Sequence, residues 1–528
     1  MKLNYKRTVL VGFAFFLITA FWQAYDTIVP KILTDKFGLA QTWSGAIMAL
    51  DNIFALFLLP IFGAISDKVN SKYGRRTPFI VVGTILAAAL LVTLSFTDRA
   101  QLRQLEAVSG TEGAAYEEAL NTIWEANPKV NVAAEGEVLA TAHPLQETIS
   151  KEAFLAIPLT VLDKDGAEIT NPDYTNIVVP ARQAYAAGVT DRNPAPLICF
   201  MAVLFLALIA MGTFRSPAVA LMPDVTVKPL RSKANAVINL MGTAGGILVL
   251  LLGTFMGTGK TKNALMDYTV FLSIVAGIML VALAIFLLKV REKKWAAEME
   301  ADSLKLAPEA EKPADGAEKR QLSRSELISL FLILASVVLW FMGYNAVTTK
   351  YSVYAGTVLN VDYNTTLLIA QAAAVVAYLP VGILSSKLGR KKMILSGVVI
   401  LAASFFFAGF LSAESPELIK NILMPLLFAL AGIGWATINV NSYPMVVELA
   451  RGGDVGRYTG FYYTASMAAQ VVTPVLSGLL LDHVSWRTLF PYATVFVVGA
   501  FFTMLFVRHG DAKPVAKDTV LDGLGGTD

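Results

Sequence analysis

Residues 63–79 read Gly63-Ala-Ile-Ser-Asp67-Lys-Val-Asn-Ser-Lys-Tyr-Gly74-Arg75-Arg76-Thr-Pro78-Phe79, and residues 382–392 read Gly382-Ile-Leu-Ser-Ser-Lys387-Leu-Gly389-Arg390-Lys391-Lys392. Each stretch closes an apolar run with a glycine, then a hydroxyl pair or an acid, then Gly-Arg and further cations. They stand at equivalent places in two long apolar blocks, so the chain reads as an internal duplication. Duplicated apolar blocks commonly enclose a binding site at their mutual interface.

Composition carries the same message outward. Of 528 residues, 55% are hydrophobic and 16% charged, and the mean hydropathy is +0.59. Soluble domains run near 45–50% apolar and about 25% charged, so this excess predicts a multi-span membrane protein. A net charge of +3 excludes nucleic-acid binding through bulk charge. One cysteine (Cys199) and three scattered histidines (His143, His483, His509) leave little material for a disulfide framework or a metal centre. We expect no enzyme activity, no metal and no cofactor.

A bilayer-crossing helix needs about 20 mostly apolar residues. Such runs occur near 8–30, 43–65, 79–97, 196–222, 234–257, 268–290, 326–349, 364–386, 393–412, 420–443, 457–480 and 487–508. The first, preceded by Lys2, Lys6 and Arg7, lacks a small-residue cleavage pattern and reads as an uncleaved helix. Lys68, Lys72, Arg75 and Arg76 follow the second run, Lys228, Arg231 and Lys233 the fourth, Lys289, Arg291, Lys293 and Lys294 the sixth, and Lys387, Arg390, Lys391 and Lys392 the eighth. Counted alternately, all lie on the side of the amino terminus, and the positive-inside rule makes that side the cytoplasm, with both termini there. Residues 98–195 then lie outside; they hold 15 Asp/Glu and 7 Lys/Arg, a net of −8 that leaves +11 for the remainder.

The expected organisation is spans one to three in 1–97, an extracytoplasmic insert at 98–195, spans four to six in 196–290, a solvated and in part helical cytoplasmic linker at 291–325, a second six-helix bundle in 326–510 and a cytoplasmic tail at 511–528. Within the insert, 111–126 reads as a helix, and 157–162 and 177–180 as strands around a Lys-Asp-Gly turn. The insert is either a tolerated surface addition or a module for substrate capture or docking. Residues 253–261, Gly253-Thr-Phe-Met-Gly257-Thr-Gly259-Lys260-Thr261, imitate a phosphate-cradling loop. That loop requires glycine where Thr254 stands, so ATP use has no basis.

The connection after span two resembles the signature of the major facilitator superfamily, Gly-x-x-x-Asp-Arg/Lys-x-Gly-Arg-Arg/Lys. Its longer spacing is similar to the sucrose/proton symporters of plants and their animal and bacterial relatives, and more distantly to the glycoside–cation symporters. Ala49-Leu-Asp51-Asn52-Ile, Arg215-x-Pro217…Ala220-Leu-x-x-Asp224 and Gly456-Arg457-Tyr458-x-Gly460 resemble the bacterial relatives. The resemblance implies an all-α membrane protein of twelve transmembrane helices in two six-helix bundles, working by alternating access. It also implies a gating role for Gly63, Asp67, Gly74, Arg75 and Arg76, with Arg215, Asp224, Gly382 and Arg390 as further candidates. The second copy has Ser386 where the acid should be, so any latch is expected to be asymmetric.

Charges at membrane depth cost at least ~2.5–3.5 kcal/mol each on insertion scales. Asp51 and Asp26 are therefore the candidate proton-coupling carboxylates. Asp26 could instead be already wet at the outer surface, and Asp51 could be a helix cap or a structural acid. Arg215 either pairs structurally with Asp67 or Asp224 or serves a gate. Sugars need neutral hydrogen-bonding groups and flat aromatic faces. Trp22, Gln23, Tyr25, Asn52, Asn235 and Asn239 in the first half, and Tyr344, Asn345, Gln371, Trp435, Asn439 and Gln470 in the second, are the candidates. Interfacial anchoring or interhelical bonding is the alternative for each. Gly242, Gly245, Gly246, Gly432 and Gly434 read as close helix packing.

The resulting expectation is proton-coupled symport of a sugar, a disaccharide or glucoside such as sucrose or maltose, across the cytoplasmic membrane by a monomer. Sodium is the other candidate ion. A drug or metabolite exporter on the same fold, and a non-transporting membrane sensor, are the rivals.

Overall fold

Helices fill every apolar run that the sequence marks. Span one is Tyr5–Lys31, continued by a π-helical turn Ile32–Lys36; span two is Gln41–Met48 and Leu50–Lys68; span three is Thr77–Gln104. Spans four to six are Ala195–Asp224, Arg231–Met256 and Thr269–Lys289, and spans seven to nine are Arg324–Tyr354, Tyr363–Leu388 and Arg390–Ala408. Spans ten to twelve are Glu417–Glu448, Val455–His483 and Leu489–Leu505. The computed structural model describes residues 3–132, 138–162, 168–171, 173–258, 263–306, 322–354, 363–411, 415–449, 455–483 and 486–511. Among the described residues, ten helices are long and apolar enough to cross a membrane; Leu489–Leu505 is an apolar helix of 17 residues.

The duplication is visible in the packing. In the first half, span one packs on spans five and six, span three on four and six, and span two on four. In the second half, span seven packs on eleven and twelve, nine on ten and twelve, and eight on ten, the same scheme displaced by six helices. Between halves, span two meets eleven, five meets eight and ten, and four meets eleven, which is the pattern of a two-fold axis between the bundles. Glycines let helices approach: a Cβ on Gly245 would press on the Phe16 carbonyl of span one, and one on Gly434 on the Gly397 carbonyl of span nine.

Two expectations need correction. Residues 177–180 are not a strand: Tyr174–Val178 is a π-helical turn leading into the helix Val179–Arg192. Pro180 sits in the first turn, where its missing amide hydrogen costs nothing, and the Ala-rich sequence after it favours a helix. The other expected strand, 157–162, is present over Thr160–Leu162, paired antiparallel with Glu168–Thr170, and a second hairpin joins Lys129–Val132 to Val138–Pro144. The expected helix is present as Gly113–Ala126. Leu120, Ile123, Phe154 and Tyr174 form a core of the insert's own.

The second correction concerns the linker. Its helical part is present as Glu292–Leu306, but that helix is fastened to the first bundle rather than free in solvent. Arg7 of span one stacks over Trp295 at 5.0 Å and pairs with Glu298. The remaining linker residues 307–321, the loop residues 259–262 and the tail 512–528 lie outside the described residues.

Candidate functional site

Both marked connections build the same device. Gly74 has φ +121° and Gly389 φ +91°, left-handed values that favour glycine. Each begins the turn into the next helix, whose first amides would otherwise lack partners. Glu292, just past the sixth span, accepts from the amides of Arg75 (2.6 Å), Arg76 (2.8 Å) and Thr77 (2.8 Å). Asp511, just past the twelfth, accepts from the amide of Arg390 at 2.7 Å. A Cβ on Gly74 would collide with Glu292, and one on Gly389 would crowd Asp511.

The guanidinium groups then turn inward. Arg76, fully buried, donates from Nε to Asp224 at 2.8 Å and pairs with Asp67 and with the Ser66 hydroxyl. Its Nη1 lies 3.5 Å from the carbonyl of buried Gly63. Burial opposes this charge, but Asp224 and Asp67 outweigh it and hold the group above the ordinary arginine range. Arg75 lies 3.5 Å from Asp224. In the second half Arg390 pairs with Glu448 at 2.9 Å, so Glu448 at the end of span ten repeats Asp224 at the end of span four, while the place of Asp67 is held by Ser386. Gly382 is buried in span eight.

This basic side is closed. Arg390 Nη2 reaches the Lys228 carbonyl of the first half at 3.2 Å. Buried Arg231 is attracted to Glu448 across the seam. Asn235 donates its amide to the Asn439 and Val440 carbonyls of span ten, at 3.1 and 3.0 Å. Asn235 is thus engaged in closure between halves, which its residue type did not reveal.

Deeper in, the first half assembles its charges around Arg215. Pro30 lies inside span one a turn beyond Asp26, and Ala49 interrupts span two just before Asp51. Asp51 therefore stands in the first turn of Leu50–Lys68, where the helix dipole favours a carboxylate. Its Oδ1 is buried with no hydrogen-bond partner among the described residues. Arg215 of span four attracts both Asp26 and Asp51. It stacks at 5.3 Å over Trp22 of span one and at 5.5 Å over Tyr463 of span eleven. Among the described contacts Arg215 pairs with neither Asp67 nor Asp224, which belong to Arg76. Trp22 and Tyr25 meet edge to face at 5.2 Å, and Trp22 Nε1 and Tyr25 Oη are buried without partners.

The second half supplies an aromatic platform. Tyr344 of span seven and Trp435 of span ten stack in parallel at 3.7 Å, with Phe341 edge-on to Trp435 at 5.1 Å. Asn345 Nδ2, next to Tyr344, is buried and unpartnered. Tyr344 neighbours Tyr378, whose hydroxyl bonds Thr243 of span five. Thr243 in turn donates to the Asn239 carbonyl at 3.0 Å.

Other expected residues are less central. Gln23 faces Gly246 of span five. Asn52 donates its backbone amide to the Ala49 carbonyl at 3.2 Å. Gln470 bonds within its own helix, to the Ser466 carbonyl at 3.3 Å, and Gln371 is exposed on span eight. Glu448 stands out in the sequence as a charge near a cytoplasmic span end, but Glu292, Asp511 and the attraction of Arg231 to Glu448 across the halves escape sequence reasoning. A signal existed for two of them: Glu292 and Asp511 each follow the sixth span of their half within a few residues.

Comparison with known proteins agrees with this architecture. The family model described as Major Facilitator Superfamily matches residues 184–377 and 363–522, and one described as MFS/sugar transport protein matches residues 10–102. The chain belongs to the major facilitator superfamily: it is a multi-pass membrane transporter, not an enzyme. The fold is similar to that of the proton:xylose symporter XylE bound to 6-bromo-6-deoxy-D-glucose, with TM-score 0.58 and 14% identity over 96% of each chain. FucP in the outward conformation gives TM-score 0.51 and 14% identity over 95% of this chain and 98% of that one. Among curated relatives, sucrose transport protein SUC3 of Arabidopsis thaliana is 36% identical over 70 residues, 13% of this chain and 11% of its own length. Chloramphenicol resistance protein CraA of Acinetobacter baumannii is 35% identical over 114 residues, 22% of this chain and 26% of its own length. An uncharacterized MFS-type transporter of Mycobacterium tuberculosis is 30% identical over 109 residues, 21% of this chain and 15% of its own length. The matched segments thus cover only a tenth to about a quarter of these relatives.

Proposed function

We propose that the chain is a secondary carrier for sugar–proton symport, taking up a disaccharide or glucoside across the cytoplasmic membrane. On this reading the basic side is cytoplasmic, the two bundles rock about a central pocket, and the structure is in an outward-facing state. Asp51 and Asp26 take up the coupling proton, and protonation releases Arg215 from its attraction to them. Trp22, Tyr25, Tyr344 and Trp435 offer ring faces to the sugar. Asn345, with Asn239, Asn439, Asn52, Gln23, Gln371 and Gln470 in the surrounding shell, meets its hydroxyls.

The observation that carries this reading is a set of buried polar atoms in both halves left without partners among the described residues: Trp22 Nε1, Tyr25 Oη and Asp51 Oδ1 in the first, and Asn345 Nδ2 in the second. Buried polar groups are ordinarily hydrogen-bonded, and a hydroxyl-rich ligand satisfies both donors and acceptors here. A drug exporter would line the same place with Phe and Met; indole, phenol, amide and carboxylate groups favour the sugar. Uptake of labelled sucrose and maltose into vesicles, with and without an imposed pH gradient, tests it. Concentrative uptake is expected only with the gradient, and identical uptake in both conditions rules out proton coupling.

A further inference from the structure

The end of span one opposite the basic side is held in an unusual way. Pro30 lacks the amide hydrogen that an α-helix would give to the Asp26 carbonyl, and the helix beyond it widens into the π turn Ile32–Lys36. A free end of this kind leaves carbonyls unsatisfied. Here they are met by other elements. Gln101 of span three donates to the Lys36 carbonyl at 2.9 Å, and Thr190 of the insert donates to the Phe37 carbonyl at 2.9 Å. Gln101 also donates to Thr190 Oγ1 at 3.1 Å, which closes the ring.

The Lys36 side chain, fully buried, runs the other way. Its Nζ pairs with fully buried Asp98 of span three at 2.7 Å, donates to the Met266 carbonyl at 2.7 Å and lies 4.3 Å from the centre of the Tyr268 ring. Gln183 of the insert donates to Asp35 at 2.8 Å. Gly38, at φ +68°, passes so near the helix Val179–Arg192 that a Cβ would collide with the Ala187 backbone. A buried ion pair of this kind is destabilising to break from one side, because the remaining charge is uncompensated.

We propose that Lys36 and Asp98 are positioning residues of the carrier. They fasten the outer end of span one to span three and to the insert, so that these elements move as a single wall. The carrier then closes its outer side without bending of span one, and Trp22, Tyr25 and Asp26 keep their places through the cycle. The insert is part of this wall rather than an appendage. The proposal rests on the carrier reading above, but its test can fail separately.

Cross-linking decides the motion. In a Cys199→Ser background, Asp35→Cys and Gln183→Cys are joined by a short thiol bridge. Uptake by the cross-linked protein is expected within about twofold of the reduced form. A loss of tenfold or more, restored by reduction, would show that span one leaves the insert during the cycle and would overturn the proposal. The reduced protein reports on the carrier reading by itself. Hydrogen exchange on the full chain in detergent tests the fastening without transport. Asp98→Asn is expected to speed exchange at residues 32–39 and 183–190 together, by at least tenfold. Acceleration at 32–39 alone would sink the idea.

Discussion

Asp51 and Arg215 illustrate what a single residue contributes here. Both are charged at membrane depth, which the sequence shows, but their partnership is a matter of three dimensions. The break at Ala49 places Asp51 in a helix's first turn, and Arg215 arrives from span four to lie between Trp22 and Tyr463. Asp51→Asn is expected to abolish uphill accumulation while downhill sugar exchange stays within about tenfold; an amide variant that still concentrates sugar removes Asp51 from the coupling step. Arg215→Lys keeps the charge but loses the planar stack on two rings, an interaction of about 0.5–2 kcal/mol per ring. Initial uptake rates should fall roughly tenfold, and an unchanged rate would mean that only the charge matters. Asn235 went the other way. Its residue type suited sugar binding, yet its amide is engaged by the carbonyls of span ten.

Among the elements, the helix Glu292–Leu306 lacks an apolar face, so the sequence shows no reason for it to dock. Its docking depends on one carboxylate that satisfies three amides and the Thr77 hydroxyl, with the Arg7–Trp295 stack behind it. Leaving such donors unsatisfied costs about 1–3 kcal/mol each at full burial. Glu292→Ala should therefore lower the unfolding temperature of the purified protein by several degrees, and Glu292→Gln by less. Equal melting of both variants and the parent would deny the cap its role.

The turn before span six has its own pH dependence. Burial raises the Asp267 pKa, but hydrogen bonds from Thr269 and the charges of Arg99 and Lys36 win and hold it below the usual value. A depressed carboxylate stabilises the fold above the unfolded pKa of about 3.9 and loses that contribution as pH falls through the lower folded value. Hydrogen exchange at residues 263–269 should be flat from pH 8 to 5, after correction for intrinsic rates, and accelerate only below about pH 4. Acceleration near pH 6 would point to another group.

Across the whole molecule, the two halves repeat one packing scheme but divide the work. The first half carries the buried carboxylates and Arg215; the second carries the Tyr344–Trp435 platform. The seam on the basic side joins Arg390 to Lys228, attracts Arg231 to Glu448 and seats Asn235 on span ten. Arg390→Ala removes the Glu448 pairing and the cross-half bond together, so the basic side should open more often. In inside-out vesicles, a cysteine at Thr243 in a Cys199→Ser background should react with an impermeant thiol reagent at least fivefold faster in that variant. Equal rates would show that Arg390 does not hold the seam.

The amino-acid sequence marks the apolar spans, the duplication, the clustering of cations at alternate connections and the class of protein. Apolar length, the repeated Gly-Arg turn and charge placement are local properties that need no partner to be read. Three-dimensional packing settles which carboxylate serves which arginine, that Glu448 does for Arg390 what Asp224 does for Arg76, and that the insert packs onto the end of span one. Those outcomes depend on groups far apart in the chain meeting in a low-dielectric interior. There a charge or an amide is tolerated only where another element happens to supply its partner.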